Sequence, residues 1–251
     1  MAVERIELLG VPVDVCPVED LEKTLLDMEA KSGAKQIVFL SIWDLLKARN
    51  KKSNLHGAVQ SADLILPISK SILKGAKFLG LPVPVRYNPF DATIRILSIL
   101  DANYRSVFLF GGRKRTLMTA ERNVHLTFHG LQVIGRYVGY YPKALEKDIE
   151  AAIHKAAPSL VLLSEGIKEK NCWAYNRREL FSTSIFLYYQ DIFGIFAKRI
   201  KRVSEKTFER GMEIWSEILH NPLKFFFVFP YIRYILLLVW NRLFAKKTEQ
   251  A

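Results

Sequence analysis

The sequence predicts an α/β protein with a Rossmann-like, mostly parallel sheet, helices on both faces of that sheet, and a helical, membrane-associating C-terminal appendage. From residue 6 to residue 189, short apolar runs alternate with helix-length segments of mixed polarity. This alternation is typical of parallel sheets that are buried on both faces. The pattern stops near residue 193, and the chain then becomes basic and strongly apolar. We therefore expect a core over residues 1–193 and the appendage over residues 194–251.

Each predicted strand is an apolar run bounded by Gly, Pro or polar residues. The run "LILP", for example, ends in a proline and gives way to the polar loop "ISK". The predicted strands cover residues 6–15, 36–40, 64–67, 106–112, 131–140, 159–166 and 184–189. Loops at the carboxyl ends of parallel strands are the usual place for ligands, so we look for a site there.

The predicted helices place apolar residues three and four positions apart, with polar residues between them. In the first helix, Leu21, Leu25 and Met28 form such a stripe, and Gly33 closes the segment. The predicted helices cover residues 17–33, 43–50, 69–79, 91–102, 115–128, 143–156 and 168–180.

Charge is concentrated in the appendage. The chain of 251 residues has a formal charge of +12, and the segment from Lys198 onward carries 11 Lys and Arg against 5 Glu. A basic segment can bind nucleic acid or an anionic membrane.

The two cysteines, Cys16 and Cys172, lie far apart, which favours reduced thiols in a cytoplasmic protein. Charged residues from Glu4 onward leave no apolar run for an export signal, so we expect none.

The strongest local site signal is "SVFLFGGRKRT", where a strand ends in Gly111-Gly112 and a helix follows. Glycines at such a turn let the backbone approach an anion, and Arg113 and the helix N-terminus add positive charge. This pattern predicts a phosphate cradle, although an ordinary tight turn would use the same glycines. Neither a dinucleotide-binding fingerprint nor a P-loop is present.

A second glycine group, "VIGRYVGYYP", brackets Tyr137 with Gly135 and Gly139. A sugar or base could stack on such tyrosines, and packing under a loop is the equal alternative.

His125 and His129 are four residues apart on one predicted helix, but no third ligand accompanies them. We therefore expect no metal site and no cofactor.

Taken together, these segments resemble the WecG/TagA/CpsF family of glycosyltransferases (glycosyltransferase family 26), over residues 3–230. The stretch 107–141 is similar to the family's strand, Gly-Gly turn, helix and "ivG...Gyf" strand. "LLSEGIKEKNCW" occupies the place of the family's "GlGxPkQExW" motif, with Gly166 and Trp173 in register. Arg202 precedes Glu213 with the family's spacing between its Arg-Ala-Pro and Glu-Trp motifs.

The resemblance implies transfer of an N-acetylmannosamine-type sugar from a UDP donor to a polyprenyl-diphosphate-linked acceptor. Such reactions build bacterial cell-surface polysaccharides. The family does not depend on an Asp-x-Asp metal site. The implied location is the cytoplasmic face of the bacterial plasma membrane, as a peripheral protein. A homo-oligomer is compatible with the sequence.

Several family motif positions have changed in this chain, which makes it a divergent member. The family's Asp-Gly motif, which supplies the candidate base, falls on Ile68-Ser69, and its early asparagine falls on Ser41. Its glutamine and glutamate fall on Lys170 and Asn171. Asp91 and Arg202 match retained family positions and are the candidate catalytic residues. The candidate nucleotide-binding residues are Gly111, Gly112, Arg113, Gly135, Tyr137, Gly139 and Gly166.

Two functional hypotheses follow from this pattern. The first is a membrane-associated glycosyltransferase that uses an altered set of catalytic residues. The second is a non-catalytic relative that binds a nucleotide sugar, a glycolipid or a partner enzyme. Loss of an acid at Ile68 favours the second hypothesis, whereas Asp91 and Arg202 allow the first.

The appendage contains the most apolar stretch of the chain, "NPLKFFFVFPYIRYILLLVWNRLF". A central arginine and a length short of a bilayer span favour a helix lying in the interface of an anionic membrane over a crossing helix. Insertion and burial in a dimer contact are the alternatives. Aliphatic side chains do not stack on bases, so we expect no nucleic-acid partner. The predicted membrane-contacting residues are Lys224, Phe225, Phe226, Phe229, Arg233, Leu237, Trp240 and Arg242.

Overall fold

Eight strands form a two-stranded hairpin and a six-stranded parallel sheet in the computed structural model, which describes residues 3–204, 208–209 and 228–244. The sheet order is β4-β3-β8-β7-β5-β6, and every pairing within it is parallel. The strands are β1 Glu4–Leu8, β2 Val11–Val15, β3 Lys35–Leu40, β4 Leu64–Pro67, β5 Ser106–Phe110, β6 Gln132–Tyr137, β7 Leu160–Leu163 and β8 Ile185–Tyr188. The predicted parallel α/β architecture is confirmed.

Helices cover both faces of this sheet. They are α1 Leu21–Glu29, α2 Ile42–Ala48, α3 Asn54–Gln60, α4 Lys70–Leu79, α5 Pro89–Ala102, α6 Lys114–Thr127, α7 Glu146–Ala156, α8 Cys172–Asn176, α9 Ile192–Phe196 and α10 Val228–Phe244. Successive strand residues point to opposite faces, so Phe39 of β3 joins the core of α1, α5, α6 and α9. Val38 joins the opposite core of the hairpin, α2, α4 and α10. A third core lies under α7 and α8.

The predicted strand over residues 6–15 is in fact the antiparallel hairpin of β1 and β2, which does not join the main sheet. The chain reverses at Leu9-Gly10, where both residues have positive φ, as a tight hairpin turn requires. Arg5 and Asp14 lie directly across the hairpin and form a two-pronged ion pair. Asp14 also accepts a hydrogen bond from the backbone of Ile65 at 2.7 Å, which holds the hairpin against the core.

Two helix predictions differ from the structure. The expected helix over residues 168–180 is reduced to α8 and a separate 3-10 turn at Arg178–Leu180. The short helix α3 was not predicted, because Gly57 lies in its middle and weakens the helical pattern. A Cβ at Gly57 would lie 2.4 Å from the Tyr175 hydroxyl, so the packing of α8 on α3 explains this glycine.

Helix α10 packs on the α/β core through one face. Tyr234 is only 1% exposed, and its hydroxyl donates to the Ser71 carbonyl at 2.9 Å. Leu238 is also buried, and Leu237 is half-buried against the same core. Gly75 of α4 makes this close approach feasible, because a Cβ there would collide with the Tyr234 hydroxyl.

The opposite face of α10 is exposed and apolar. We call this surface the apolar stripe, and it consists of Phe229, Ile232, Ile235, Leu236, Val239, Trp240, Leu243 and Phe244. At 3.6 residues per turn, Arg233 and Arg242 lie at opposite borders of this stripe. Within the described part of the chain, no helix is long and apolar enough to cross a bilayer.

Candidate functional site

The carboxyl ends of β5 and β7 define the main crevice of the sheet edge. The chain leaves β5 toward β6 on one side and leaves β7 toward β8 on the other, so the strand order reverses between them. In open α/β sheets, ligands bind in the crevice at such a reversal. We call this position the β5–β7 crevice.

Glycines make the walls of the β5–β7 crevice tight. A Cβ on Gly111 would lie 2.8 Å from the backbone nitrogen of Ser164. A Cβ on Gly139 would lie 2.2 Å from the Glu165 carbonyl, and one on Gly166 would lie 2.8 Å from Gly139. Four of the predicted nucleotide-binding glycines, including Gly112, therefore meet where the loops after β5, β6 and β7 touch.

The amide groups of these glycines already donate to the protein. The Gly111 N–H donates to the Tyr137 carbonyl at 2.9 Å, and the Gly112 N–H donates to the Glu165 carbonyl at 2.6 Å. Gly139 in turn donates to the Gly112 carbonyl at 3.0 Å. The N–H groups available for an anion are instead those of the first turn of α6, which lacks a side-chain cap.

A carboxylate and a cation stand at the mouth of the β5–β7 crevice. The Tyr140 hydroxyl donates to Glu165 at 2.7 Å, and this hydrogen bond raises the pKa of Tyr140. The Arg113 guanidinium lies 5.5 Å from the centre of the Tyr140 ring, within cation–π range. Glu165 was not predicted as a site residue. The pattern of an acid beside a glycine after a buried strand could have identified it.

Two further predicted residues, Gly135 and Tyr137, make packing contacts in β6. A Cβ on Gly135 would lie 2.4 Å from the Phe108 ring. Tyr137 is half-buried and meets Phe110 and Tyr141 edge to face. Their part in nucleotide binding stays a prediction.

The two candidate catalytic residues, distant in sequence, lie side by side in the structure. Arg202 approaches the carboxylate of Asp91 to 3.8 Å, and both side chains are more than half exposed. Asp91 belongs to the first turn of α5, which begins after the Asn88 cap. The Arg202 guanidinium also lies 5.9 Å from the centre of the Phe90 ring. This pair is open to solvent and to a ligand.

Asp91 lines a cavity of 770 Å³ that runs along α5, which we call the α5 cavity. Its polar lining includes Arg86, Asn88 and Arg95. Arg86 contacts Phe208, which covers one end of the α5 cavity. The charged lining is mixed, since Glu22 and Glu209 line the cavity together with Asp91, Arg86 and Arg95. A carboxylate beside cations can deprotonate a hydroxyl group of a bound ligand.

Position 68 contributes no acid to this region. Ile68 follows β4, and its side chain packs against the core. Its carbonyl accepts a hydrogen bond from Arg86 Nε at 2.8 Å. The neighbouring Ser69 hydroxyl accepts from the backbone of Ile42 at 3.0 Å, so Ser69 holds two loops together. Ser41 caps α2 by accepting from the backbone of Asp44.

The two remaining changed positions lie in the loop before α8. Lys170 adopts a positive φ, and Asn171 is buried with its carbonyl accepting from Gln36 Nε2 at 2.7 Å. The adjacent Glu169 pairs instead with Arg177, which also contacts the carboxylates of Glu146 and Glu150. These contacts form an ion cluster next to the two changed positions.

Two tyrosines lie at the carboxyl end of β8, where Tyr188 ends the strand and Tyr189 follows it. Burial raises the pKa of Tyr188, and negative charges that include Glu165 raise it further. Burial and the charges of Asp191 and Asp91 raise the pKa of Tyr189 in the same way. Both tyrosines therefore stay neutral near pH 7.

No cluster of three potential metal ligands occurs in the described part of the chain. His125 lies on α6 as predicted, but the helical placement of His129 was wrong, because α6 ends at Thr127 and leaves His129 in the following loop. The predicted membrane residues Lys224, Phe225 and Phe226 lie outside the described residues.

The fold defines a Rossmann-like α/β protein with a candidate ligand site at the glycine-lined reversal point of its sheet. The chain belongs to the glycosyl transferase WecG/TagA/CpsF family, whose family model matches residues 6–248. The resemblance seen in the sequence is thereby confirmed.

A relative from Bacillus spizizenii (strain W23) is similar to this chain. It is named N-acetylglucosaminyldiphosphoundecaprenol N-acetyl-beta-D-mannosaminyltransferase, and it is 23% identical over 166 residues. The match covers 66% of this chain and 64% of the relative, which is less than two thirds of the relative's length.

Proposed function

We propose that this protein is a membrane-associated glycosyltransferase that moves an N-acetylmannosamine-type sugar from a UDP donor to a polyprenyl-diphosphate-linked acceptor. The observation that carries the proposal is the meeting of Asp91 and Arg202 beside the α5 cavity, in a chain of this family. The name of the relative supports the sugar and the lipid-linked acceptor.

In the proposed reaction, the donor diphosphate binds at the β5–β7 crevice against Arg113 and the first turn of α6. Asp91 removes the proton of the acceptor hydroxyl. The resulting oxygen nucleophile attacks the anomeric carbon of the donor sugar, and the bond from that carbon to the diphosphate oxygen breaks. Arg202 stabilises the negative charge that develops on the departing UDP.

The lipid-linked acceptor requires the protein to work at a membrane. The apolar stripe of α10, bordered by Arg233 and Arg242, has the composition of a helix face that enters the bilayer interface. The net charge of +12 favours an anionic surface. Action on the cytoplasmic face of the bacterial plasma membrane is part of this proposal.

A second candidate function is binding without transfer, and the side chain at position 68 favours it. Ile68 cannot accept a proton, and its side chain packs against the core. In this alternative the same two regions hold a nucleotide sugar or glycolipid for a partner enzyme.

Transfer of labelled sugar from a UDP donor to a short polyprenyl-diphosphate acceptor tests the proposal. The full chain should form product, and Asp91→Asn should lower the rate about 10²–10⁴-fold, as loss of an acid–base group does. Asp148→Asn, on exposed α7, is the matched control and should keep the full rate. Equal rates in all three proteins would remove Asp91 from the mechanism, and no product at all would favour the binding function.

A further inference from the structure

A small basic cavity opens where the loop after α2 meets α10. It has a volume of 510 Å³. Its lining residues are Leu46, Lys47, Arg49, Asn50, Ser53 and Arg233. Three of these six residues are cations, none is acidic, and Arg233 comes from a helix far away in the sequence. The fold therefore assembles this positive cavity from separate parts of the chain.

The cations of this cavity are held together without a counter-charge. Arg49 Nε donates to the Leu9 carbonyl at 3.1 Å, which fixes the guanidinium and leaves its outer N–H groups available. Burial lowers the pKa of Arg49, and the like charge of Arg233 lowers it further. Within the described residues, no carboxylate forms an ion pair with Lys47, Arg49 or Arg233.

Like charges that face each other in a partly buried cavity are unfavourable, and a bound anion would remove that cost. Guanidinium groups present a planar fork that fits two oxygens of one phosphate group. The Asn50 amide and the Ser53 hydroxyl add polar groups to the same lining. The size of the cavity is ample for a phosphate and the ester group attached to it.

We propose that Lys47, Arg49 and Arg233 form a binding site for a phosphate monoester or diester, separate from the β5–β7 crevice. The inference goes beyond the proposed function, because the site needs neither the sugar donor nor the acceptor. Two sources of the phosphate fit this chemistry: a phospholipid headgroup and a soluble phosphate ester. Arg233 borders the apolar stripe, so a headgroup could reach the site when the stripe contacts a bilayer.

Calorimetric titration of the full chain tests this site with two probes at constant ionic strength. One probe is inorganic phosphate, and the other is dihexanoyl-phosphatidylglycerol below its micelle concentration. Both should bind, and Lys47→Gln and Arg233→Gln should each weaken binding about tenfold, since each removes a charge-assisted contact. Arg49→Lys keeps the positive charge but loses the planar guanidinium group, so it should also weaken binding. Lys147→Gln, an exposed cation on α7, is the matched control.

The two probes distinguish the sources of the phosphate. Tighter binding of the lipid than of inorganic phosphate, with loss in Arg233→Gln, supports a headgroup site. Equal binding of both probes, with the same loss, supports a soluble phosphate ester. Absence of binding, or equal weakening in Lys147→Gln, would overturn the proposal. Failure of UDP binding alone would not affect this proposal, because the donor is proposed to bind at the separate β5–β7 crevice.

Discussion

Ile68 is the residue at which this chain departs most clearly from catalytic expectations. It directly follows β4 at the carboxyl edge of the sheet, with the Arg86 side chain hydrogen-bonded to its carbonyl. A carboxylate in its place would lie near a guanidinium and near the α5 cavity. Position 68 is therefore well placed for the carboxylate of the family motif, whereas the isoleucine side chain of this chain packs against the core.

Restoring the acid by Ile68→Asp should raise the rate of sugar transfer if the rest of the site is intact. The substitution should also lower the free energy of unfolding by about 1–2 kcal/mol, because Ile68 loses apolar contacts with the core. Initial rates and chemical denaturation measure the two effects. Ser69→Gly is the control: it should lower stability by removing the acceptor of the Ile42 N–H, with no gain in rate. An unchanged rate in a folded Ile68→Asp protein would mean that the site lacks more than this acid.

The candidate site residues were predicted from a local glycine pattern or from the family resemblance, and their roles stay predictions. The Gly111-Gly112 turn, Asp91 and Arg202 could be identified from the sequence, and the structure brings Asp91 and Arg202 together. Arg86 could not be identified from the sequence, because its position beside the end of β4 depends on the path of the loop between α4 and α5. Glu165 could have been identified from its place beside Gly166 after a buried strand, but its contact with Tyr140 of another loop required the structure.

At the scale of elements, the docking of α10 on α4 depends on one glycine and one tyrosine. Gly75→Val should displace Tyr234 and detach α10, because the added side chain needs the space of the Tyr234 hydroxyl. Hydrogen exchange should then show lost protection over residues 228–244. Tyr234→Phe is the milder comparison: it keeps the ring and should cost only about 0.5–1.5 kcal/mol, the value of one hydrogen bond. Full protection of α10 in Gly75→Val would contradict this packing.

The Arg177 cluster fixes α8 to α7 and responds to pH. Arg177 lies 2.5 Å from both Glu146 and Glu150 and 2.9 Å from Glu169. Its hydrogen bonds to Glu169 hold the pKa of that carboxyl below its ordinary value of 4.5. A carboxyl whose folded pKa is depressed stabilises the fold above its ordinary pKa, and this contribution is lost as pH falls through the folded value.

Arg177→Met should therefore destabilise the protein at pH 7 by about 3 kcal/mol, because it leaves three carboxylates without their partner. The variant should also lose less stability than the parent when the pH falls below about 4.5, since less ion pairing remains to be lost. Thermal unfolding across this pH range measures both effects. Parallel pH profiles for the two proteins would contradict the role of the cluster. Arg178→Met is the control, because the ion pair of Arg178 is with the exposed Glu179 and lies outside the cluster.

Most elements followed from local pattern, and the exceptions have physical causes. Strand β4 was predicted with its observed bounds, because a proline marks its end. The hairpin of β1 and β2 was predicted as one strand, since apolar residues alternate with other residues in both halves. The Leu9-Gly10 pair between them is a weak sequence signal of a turn. Helix α8 is shorter than predicted, because Lys170 at positive φ delays its start.

For the whole molecule, the apolar stripe should hold the protein on anionic membranes. In vesicle flotation, replacing Leu236 and Trp240 by Ser should reduce the bound fraction at high salt, where screening has weakened the basic contribution. The control is Met118→Ser, which removes an exposed apolar residue from α6. Equal flotation of all three proteins would remove the stripe from the membrane contact. The full chain is needed, because α10 also covers part of the core.

The domain boundary near residue 193 stays a prediction. Helix α10 lies in the predicted appendage, yet Tyr234 and Leu238 complete a core that begins with the β1–β2 hairpin. Sequence composition detects a change from core to appendage, but it cannot show which face of an apolar helix is covered. That distinction required the contact with Gly75.

Binding of UDP measured by calorimetry is the most direct test of the central claim, that the β5–β7 crevice holds a nucleotide donor. The account predicts saturable binding by the full chain, weakened about tenfold or more in Arg113→Gln through loss of a charge-assisted contact. Arg113 is preferred to Gly112 for this test, because Gly112 has a φ of 66° and a side chain there would strain the fold. Arg122→Gln, farther along α6, should bind as the parent does. Absence of UDP binding by the full chain, or undiminished binding by Arg113→Gln, would contradict the account.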